Sequence, residues 1–204
     1  NKEMTLKPYG DLHQTAQTIL QQAQDLFYEK GYEKASMREI AERVGISKAA
    51  MYHHFFNKEA ILYTICVQVG GQIDEIMHNA IQRNQNTNGS AKEQLTDILL
   101  EYTTNFLEIK NFIKVLLYDV ESLPQEKKED VLDFQRRNLN RLKKYLQALM
   151  QSGKIRECDL TVLTFSLFSA VHWLYFWFDP NGELKLKDVI KDIVEFHLDG
   201  VIPR

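Results

Sequence analysis

The feature that most limits how this chain can fold is a long uncharged run late in the sequence. Residues 160–178 are nineteen positions without Asp, Glu, Lys or Arg, close to the roughly 20 that a membrane-spanning helix needs. The run is flanked by Asp159 and Asp179, not by basic residues, and it includes His172 and several hydroxyl side chains, which argues against a membrane span. A helix that is apolar on every side is otherwise one that is covered on every side, by its own core and by a second copy of the chain. We therefore expect a soluble protein with no membrane partner.

Composition favours long helices and gives no global sign of a polyanionic partner. Nine Gly and four Pro in 204 residues make up about 6% of the chain, against roughly 12% in average usage, and such scarcity of helix breakers indicates an all-α protein. The formal net charge is −3, from 25 Lys and Arg against 28 Asp and Glu. Any case for nucleic-acid binding must therefore rest on local features.

The cysteines and the first residues favour a cytoplasmic location. Cys66 and Cys158 lie far apart in helical stretches and lack the spacing of a metal site, which suits a reducing compartment. Residues 1–10 contain no apolar core of signal-peptide length. We expect neither export, nor a metal, nor a cofactor.

Apolar residues recurring at intervals of three and four indicate about nine helices and no convincing strand. Ser36 and Ser47 are suited to begin helices, whereas Gly31, Gly45 and Gly153 are suited to end them. The expected helices are residues 12–30, 36–45, 48–54, 58–83, 91–109, 112–120, 124–152, 160–178 and 184–198.

Residues 37–55 have the spacing of a helix-turn-helix. This motif needs a small residue where the helices cross, a residue tolerant of left-handed φ in the turn, and apolar residues that hold the pair on a supporting helix. Ala41 and Gly45 meet the first two requirements, and His54 is the one position where an apolar residue would be usual. Ser36 and Glu39 have the spacing of a capping box. The apolar set is Ile40, Val44, Ile46 and Met51.

Helical geometry predicts which face of the second helix can meet DNA. The outward set is Lys48, Ala49, Tyr52 and His53, and the inward set is Ala50, Met51 and His54. Residues 43–58 contain three cations, two histidines and no carboxylate, so a phosphate backbone can approach this surface. Residues 1–60 have eight Lys and Arg against eight Asp and Glu, which makes the basic footprint narrow.

Residues 40–62 closely resemble the TetR family of bacterial transcriptional regulators, and the similarity is strong over residues 15–62. The resemblance implies a helix-turn-helix DNA-binding domain at residues 11–57 and a ligand-binding and dimerisation domain at residues 58–204, connected by the fourth helix. It also implies DNA contacts from Ser36, Ser47, Lys48, Ala49, Tyr52, His53 and Lys58.

The expected roles of these side chains differ. Lys48 and Tyr52 are expected to contact phosphates or the groove, and His53 a base or the DNA backbone. Lys58 is expected to clamp a phosphate at the start of the fourth helix, while Ser36 and Ser47 donate near the backbone. Each residue also has an ordinary structural interpretation, such as Tyr52 packing on the first helix or Lys58 as a solvated cation.

One departure from the family affects the operator. Many members have Gly followed by Thr or Ser where this chain has Ala49 and Ala50. A hydroxyl contact is therefore missing, and the operator sequence does not transfer from relatives.

The last two helices of TetR regulators form a four-helix bundle with those of a partner subunit. The resemblance therefore implies a homodimer through the last two helices, which explains why residues 160–178 are apolar on every side. An unusually apolar monomer core is the alternative.

Residues 171–182 more loosely resemble the TetR subgroup that senses fatty acyl-CoA. That resemblance implies a small hydrophobic effector in an apolar tunnel. The candidate lining residues are Phe106, Phe112, Leu116, Phe165, His172, Trp173 and Phe176. Arg136 and Arg137 are candidate partners for a phosphate or carboxylate. Aromatic residues at helical spacing equally form ordinary core, and the two arginines equally form a solvated face.

Gly70 and Gly71 lie in the middle of the fourth helix, where each costs roughly 1 kcal/mol relative to Ala. We predict a bend there, which lets an effector change the spacing of two recognition helices that must match one DNA turn, about 34–36 Å. Close packing against a neighbouring helix is the alternative.

Enzymatic activity finds no support in the sequence. There is no Gly-rich phosphate loop, no His-Glu-x-x-His and no Gly-x-Ser-x-Gly, and the six histidines are scattered. The sequence therefore predicts a regulator that binds a double-stranded DNA operator and is released by a ligand, with repression as the habit of the family. A helical protein-interaction adaptor is the competing class, but it would give the helix-turn-helix no function.

Overall fold

The computed structural model describes residues 14–85, 87–109, 113, 115 and 118–199, and every regular element in these ranges is helical. The prediction of an all-α protein is confirmed. The α-helices are α1 (Gln14–Lys30), α2 (Met37–Val44), α3 (Lys48–His54), α4 (Lys58–Asn84), α5 (Ala91–Glu108), α6 (Gln125–Gln151), α7 (Leu160–Trp177) and α8 (Leu186–Asp199), with a 3-10 helix at Asp119–Ser122.

Most helix ends lie within one or two residues of the expected positions, because short-range caps set them. Asn57 accepts a hydrogen bond from the Ala60 N–H at 2.7 Å and so begins α4. The α4 helix runs one residue further than expected, to Asn84, whose side-chain Nδ2 donates to the Ala80 carbonyl at 3.0 Å. Of the expected helix at residues 112–120, residues 113, 115 and 118 are helical and residues 119 and 120 belong to the 3-10 helix, whereas the other four lie outside the described residues.

The chain forms two compact units. The first contains the described parts of residues 1–72 and 109–134. In this unit α1 packs on α2 and α2 packs on α3. Its largest fully buried side chains are Ile19, Leu20, Phe27, Ile40, Met51, Ile61, Leu62 and Ile65. Burial of one such side chain contributes about 1.5–3 kcal/mol, so this core holds the short helices α2 and α3, which are too short to be stable alone.

Gly70 allows α4 to pack closely on α6 within the first unit. A Cβ placed on Gly70 would lie 2.8 Å from Cδ2 and 2.9 Å from Cγ of Phe134. Close packing, the alternative to a bend, therefore accounts for Gly70, and α4 is continuous through this position. The ligand-driven bend stays a prediction.

The second unit contains the described parts of residues 73–108 and 135–204. Here α5 packs on α7 and α8, and α7 packs on α8. Asp159 caps α7 by accepting hydrogen bonds from the N–H groups of Thr161 and Val162, at 2.8 and 3.1 Å. Tyr145 donates to the buried side chain of Gln94 at 3.0 Å and so ties α6 to α5.

One face of α7 is buried and the other is exposed in the single chain. The buried residues are Leu163, Thr164, Leu167, Phe168, Val171 and Leu174. The exposed large apolar residues are Val162, Phe165, Trp173, Phe176 and Trp177. Among the described residues α7 is the one helix long and apolar enough to span a membrane by length and composition, and 33% of it is buried. The chain's own core therefore covers only one side of this helix.

Candidate nucleic-acid interface

The turn between α2 and α3 requires glycine. Gly45 has φ 77° and ψ 29°, a left-handed conformation that a side chain disfavours. Its N–H donates to the carbonyls of Ala41 at 2.9 Å and Glu42 at 3.3 Å, and the Ile46 N–H donates to Ala41 at 3.0 Å. These bonds end α2 and set the direction in which the chain enters α3.

The predicted capping box at the start of α2 is confirmed. Ser36 Oγ accepts from the Glu39 N–H at 3.3 Å and donates to Glu39 Oε2 at 2.7 Å. The Lys30 ammonium, and after it the Ser36 hydroxyl, lower the pKa of Glu39 to about 2. The Ser36 proton is thus directed to Glu39, so a donation from Ser36 to DNA would compete with the capping box.

Ser47 caps the next helix, α3, as expected. Its Oγ accepts from the Ala50 N–H at 3.1 Å. At the other end of α3, the Phe55 N–H donates to the Met51 carbonyl at 3.0 Å. Both ends of this seven-residue helix are therefore fixed.

The outward face of α3 is exposed as helical geometry predicts. Lys48, Ala49, Tyr52 and His53 are all exposed, whereas the Met51 side chain is fully buried. Tyr52 is 45% exposed, and the Lys48 Nζ lies 5.9 Å from the centre of its ring. The helix thus presents one cation, one phenol and one imidazole to solvent on a rigid support.

Two of the three cations in residues 43–58 have partners within the chain. The Arg43 guanidinium binds both carboxylate oxygens of Glu29, one of them at 3.0 Å. The Lys58 ammonium donates to three backbone carbonyls between α1 and α2 and lies 4.1 Å from the centre of the Tyr32 ring. Among the described residues Lys48 makes no ion pair, so it is the cation most available to a phosphate.

The partners of Lys58 are the carbonyls of Tyr32 at 2.7 Å, Ala35 at 3.0 Å and Glu33 at 3.3 Å. Lys58 therefore holds the α1–α2 connection against the start of α4. Its expected role as a phosphate clamp stays a prediction.

Two of the candidate effector residues lie together in the second unit. The Phe106 and His172 rings stack with centroids 4.8 Å apart. The Tyr102 hydroxyl and His172 Nε2 are 2.7 Å apart and share a hydrogen bond, and Phe168 packs against both rings. Burial lowers the pKa of His172 to about 4 and raises the pKa of Tyr102 well above its usual range. At neutral pH this pair is therefore uncharged, which suits an apolar environment.

Sequence reasoning missed Tyr102 and Phe168. Each lies four residues before an identified candidate, Phe106 or His172, and so shares its helical face. That spacing was a usable signal.

Other candidate effector residues lie elsewhere. Phe165, Trp173 and Phe176 are exposed, and the Trp173 and Phe176 rings contact each other at 4.9 Å. Phe112 and Leu116 are outside the described residues. Arg136 is exposed.

Arg137 belongs to an ion-pair cluster with a carboxylate of the chain. Its Nε lies 3.5 Å from Asp74 Oδ2, while Arg141 Nε donates to Asp74 Oδ1 at 3.0 Å. Arg141 Nη1 is also 3.0 Å from His78 Nδ1. These contacts tie α6 to α4 within the second unit.

In the described part of the second unit, two buried polar side-chain atoms have no hydrogen-bond partner. They are Thr103 Oγ1 on α5 and Asn138 Oδ1 on α6. A buried polar group left unpaired costs about 1–3 kcal/mol. No pattern in the sequence indicated these two atoms.

Comparison with known families identifies the class of protein. Residues 19–64 match the family described as "Bacterial regulatory proteins, tetR family", and residues 88–201 match the family described as "Tetracyclin repressor-like, C-terminal domain". The chain belongs to the TetR family of bacterial transcriptional regulators, helix-turn-helix proteins that bind DNA. The family consists of regulators rather than enzymes.

Individual relatives cover nearly the whole chain. The fatty acid metabolism regulator protein of Bacillus subtilis (strain 168) is 26% identical over 185 residues, which are 90% of this chain and 93% of that protein. The crystal structure of the TetR family regulator PfmR from Thermus thermophilus has a TM-score of 0.77 and 29% identity, and the match covers 89% of this chain and 97% of that chain. The structure of AibR in complex with isovaleryl coenzyme A and operator DNA has a TM-score of 0.73 and 27% identity, with coverage of 91% and 98%.

Proposed function

We propose that this chain is a cytoplasmic, homodimeric repressor that binds a two-fold operator and is released by a small hydrophobic effector. The observation that carries the proposal is the outward face of α3, with Lys48, Tyr52 and His53 exposed on a helix capped at both ends. Such a helix is suited to the major groove, where its side chains reach phosphates and base edges. Residues 11–57 form the DNA-binding domain in this proposal, and residues 58–204 bind the effector and the partner subunit.

The exposed side of α7 supports dimerisation through the last two helices. Trp173 is 62% exposed, and Phe165, Phe176 and Trp177 accompany it on the same helix, while Phe196 is exposed on α8. An uncovered patch of this kind is an aggregation hazard in a monomer. A second copy related by a two-fold axis would cover it with the same residues. Phe165, Trp173 and Phe176 then contact the partner subunit.

The character of the effector is supported by relatives and by the second unit. One relative is a fatty acid metabolism regulator, and the AibR structure contains isovaleryl coenzyme A. Phe106 and His172 belong to an uncharged aromatic cluster, and Thr103 and Asn138 each offer a buried polar atom without a partner. We propose a fatty acyl-CoA as the effector, with its acyl chain among the aromatic residues and a polar atom near one of these groups.

The acidic part of such an effector would need cations. Arg136 and Arg137 remain the proposed partners for a phosphate or carboxylate. Arg137 is already paired with Asp74. A phosphate or carboxylate of the effector would therefore share the Arg137 guanidinium with Asp74.

Selection of bound sequences from randomised duplex DNA tests the regulator. We expect one palindrome with half-sites about one helical turn apart, since two recognition helices must enter successive major grooves. Lys48→Ala should weaken DNA binding and lower the dependence of affinity on salt. Lys185 is an exposed lysine of the second unit, and Lys185→Ala serves as the control. Absence of enrichment by ligand-stripped protein at low salt would remove the proposal. It would favour the helical adaptor, for which no salt-dependent DNA binding is expected.

Release by acyl-CoA is a separate experiment on the selected operator. Isovaleryl-CoA and palmitoyl-CoA, with free CoA as the control, are titrated into the protein–DNA complex. Release by an acylated compound and not by free CoA supports the acyl-CoA effector. If neither acyl-CoA releases the operator, the proposed effector class is wrong, whereas the conclusion on DNA binding is unaffected.

A further inference from the structure

Phe56 is an apolar side chain held in solvent beside the recognition helix. It is 83% exposed, the most exposed large apolar residue in the described part of the first unit. It occupies the connection between α3 and α4, after the capping residue Phe55 and before Asn57.

The backbone on both sides of Phe56 is fixed. Phe55 is buried, and its N–H donates to the Met51 carbonyl at 3.0 Å. Asn57 Oδ1 accepts from the Ala60 N–H at 2.7 Å and caps α4. Turning the Phe56 ring inward would require Phe55 to leave the core or the α4 cap to break. The outward position is therefore imposed by the fold.

The surroundings of Phe56 suit DNA better than another protein. It lies three residues after His53, which is on the exposed face of α3, and within residues 43–58, which have no carboxylate. It also lies two residues before the first residue of α4, Lys58, and the N-terminal end of a helix carries a partial positive charge that attracts phosphates. When α3 enters the major groove, the connection between α3 and α4 lies at the edge of that groove.

Duplex DNA offers apolar surface at this edge. The C5-methyl group of thymine projects into the major groove, and the deoxyribose carbons lie between successive phosphates. Phenylalanine can pack on either without a hydrogen bond. The side chain at residue 56 therefore fits an apolar contact rather than an ionic one.

We propose that Phe56 packs on apolar atoms of the operator and strengthens binding without neutralising a phosphate. This inference rests on DNA binding through α3, as proposed above. It predicts a specific signature, because a contact of this kind changes affinity but not the dependence of affinity on salt.

Fluorescence anisotropy with the selected operator, measured across a range of salt concentrations, tests the contact. The variants are Phe56→Ser, Phe56→Leu and Lys48→Ala, and Tyr118→Ser, another exposed aromatic residue of the first unit, is the matched control. We expect Phe56→Ser to weaken binding roughly tenfold at every salt concentration, which is what burial of part of a Phe side chain supplies. Phe56→Leu should keep most of the affinity, and Tyr118→Ser should bind as the parent does.

The salt dependence separates the two kinds of contact. Lys48→Ala should reduce the slope of log affinity against log salt by about 0.9 for each phosphate that the variant no longer neutralises, whereas Phe56→Ser should leave the slope unchanged. Operators in which single thymines are replaced by uracil distinguish the methyl group from deoxyribose. If Phe56 contacts a thymine methyl group, Phe56→Ser and the parent should bind one of these uracil-containing operators with equal affinity.

Several outcomes would overturn the contact. Binding of Phe56→Ser within twofold of the parent, while Lys48→Ala binds weakly, would show that Phe56 does not touch DNA although α3 does. A reduced salt slope for Phe56→Ser would indicate an indirect effect on a cationic contact. Failure of the parent protein to select any sequence would remove the proposed function and the contact with it. Thermal unfolding of each variant provides the control for folding, since an exposed side chain should alter the melting temperature little.

Discussion

Replacement of Gly70 by Ala tests whether close packing or helix propensity decides this position. An exposed Gly→Ala change inside a helix stabilises by roughly 1 kcal/mol. At Gly70, however, the new Cβ would lie 2.8 and 2.9 Å from two ring atoms of Phe134 and 3.2 Å from its Cβ, whereas carbon atoms prefer about 3.5–4.0 Å. Rotation of the ring about its Cβ–Cγ bond does not move Cγ, so it cannot relieve the 2.9 Å contact, and the ring must shift or the helices must separate by several tenths of an ångström.

Such overpacking costs about 1–3 kcal/mol. Net of the gain in helix propensity, we expect Gly70→Ala to lower the free energy of unfolding by about 1 kcal/mol and the melting temperature by roughly 2–4 °C. Urea and thermal unfolding followed by circular dichroism measure both quantities.

A double-mutant cycle with Phe134→Ala makes this expectation refutable. Removing the ring eliminates the two shortest contacts, so Gly70→Ala should now stabilise the protein, by up to about 1 kcal/mol. The sign of the Gly70→Ala effect should therefore reverse between the two backgrounds. Equal stabilisation in both backgrounds would show that Phe134 does not constrain Gly70. The packing explanation would then be wrong.

Three further predictions concern buried or capping side chains. The folded state holds His172 neutral with a pKa of about 4, against 6.5 for the free side chain. The free energy of unfolding should therefore be at its full value above pH 6.5 and fall by about 3 kcal/mol by pH 4, at 1.36 kcal/mol per pKa unit. His172→Gln should flatten this pH dependence in urea unfolding, and an unchanged pH dependence in the variant would contradict the prediction. The side-chain Nε2 and Oε1 of Gln24 are buried without a hydrogen bond, so Gln24→Met should raise the free energy of unfolding by about 1–2 kcal/mol. A lower melting temperature for this variant would show that the Gln24 amide does make a stabilising hydrogen bond. Ser36→Ala should cost about 1 kcal/mol through loss of the α2 cap, whereas Ser36→Asp should keep most of the stability; equal losses for the two variants would argue against capping.

The helix-turn-helix could be predicted from sequence because its determinants are local. The capping box of Ser36 and Glu39 spans four residues, Ser47 caps its own helix, and Gly45 is required by the turn itself. Such features act within one or two helical turns and so leave a readable pattern. The outward and inward faces of α3 follow from helical periodicity in the same way.

The partners of charged and polar side chains could not be predicted, because they come from distant parts of the chain. The carbonyls that bind Lys58 lie 23 to 26 residues away, so the sequence showed only a cation at a helix start. Tyr102 and His172 are 70 residues apart. Sequence periodicity identified apolar residues on α7, but it could not distinguish the buried Phe168 from the exposed Phe165.

The anchoring of α3 has a consequence for how operator preference can evolve. Met51 is the one residue of this helix that the first unit buries, and the helix ends are fixed by Ser47 and Phe55. Substitutions on the exposed face therefore leave the hydrophobic core and the caps intact. Duplicated copies of such a gene can diverge in the DNA they recognise while each protein keeps its fold, and the same separation allows recognition residues to be exchanged between paralogues in the laboratory.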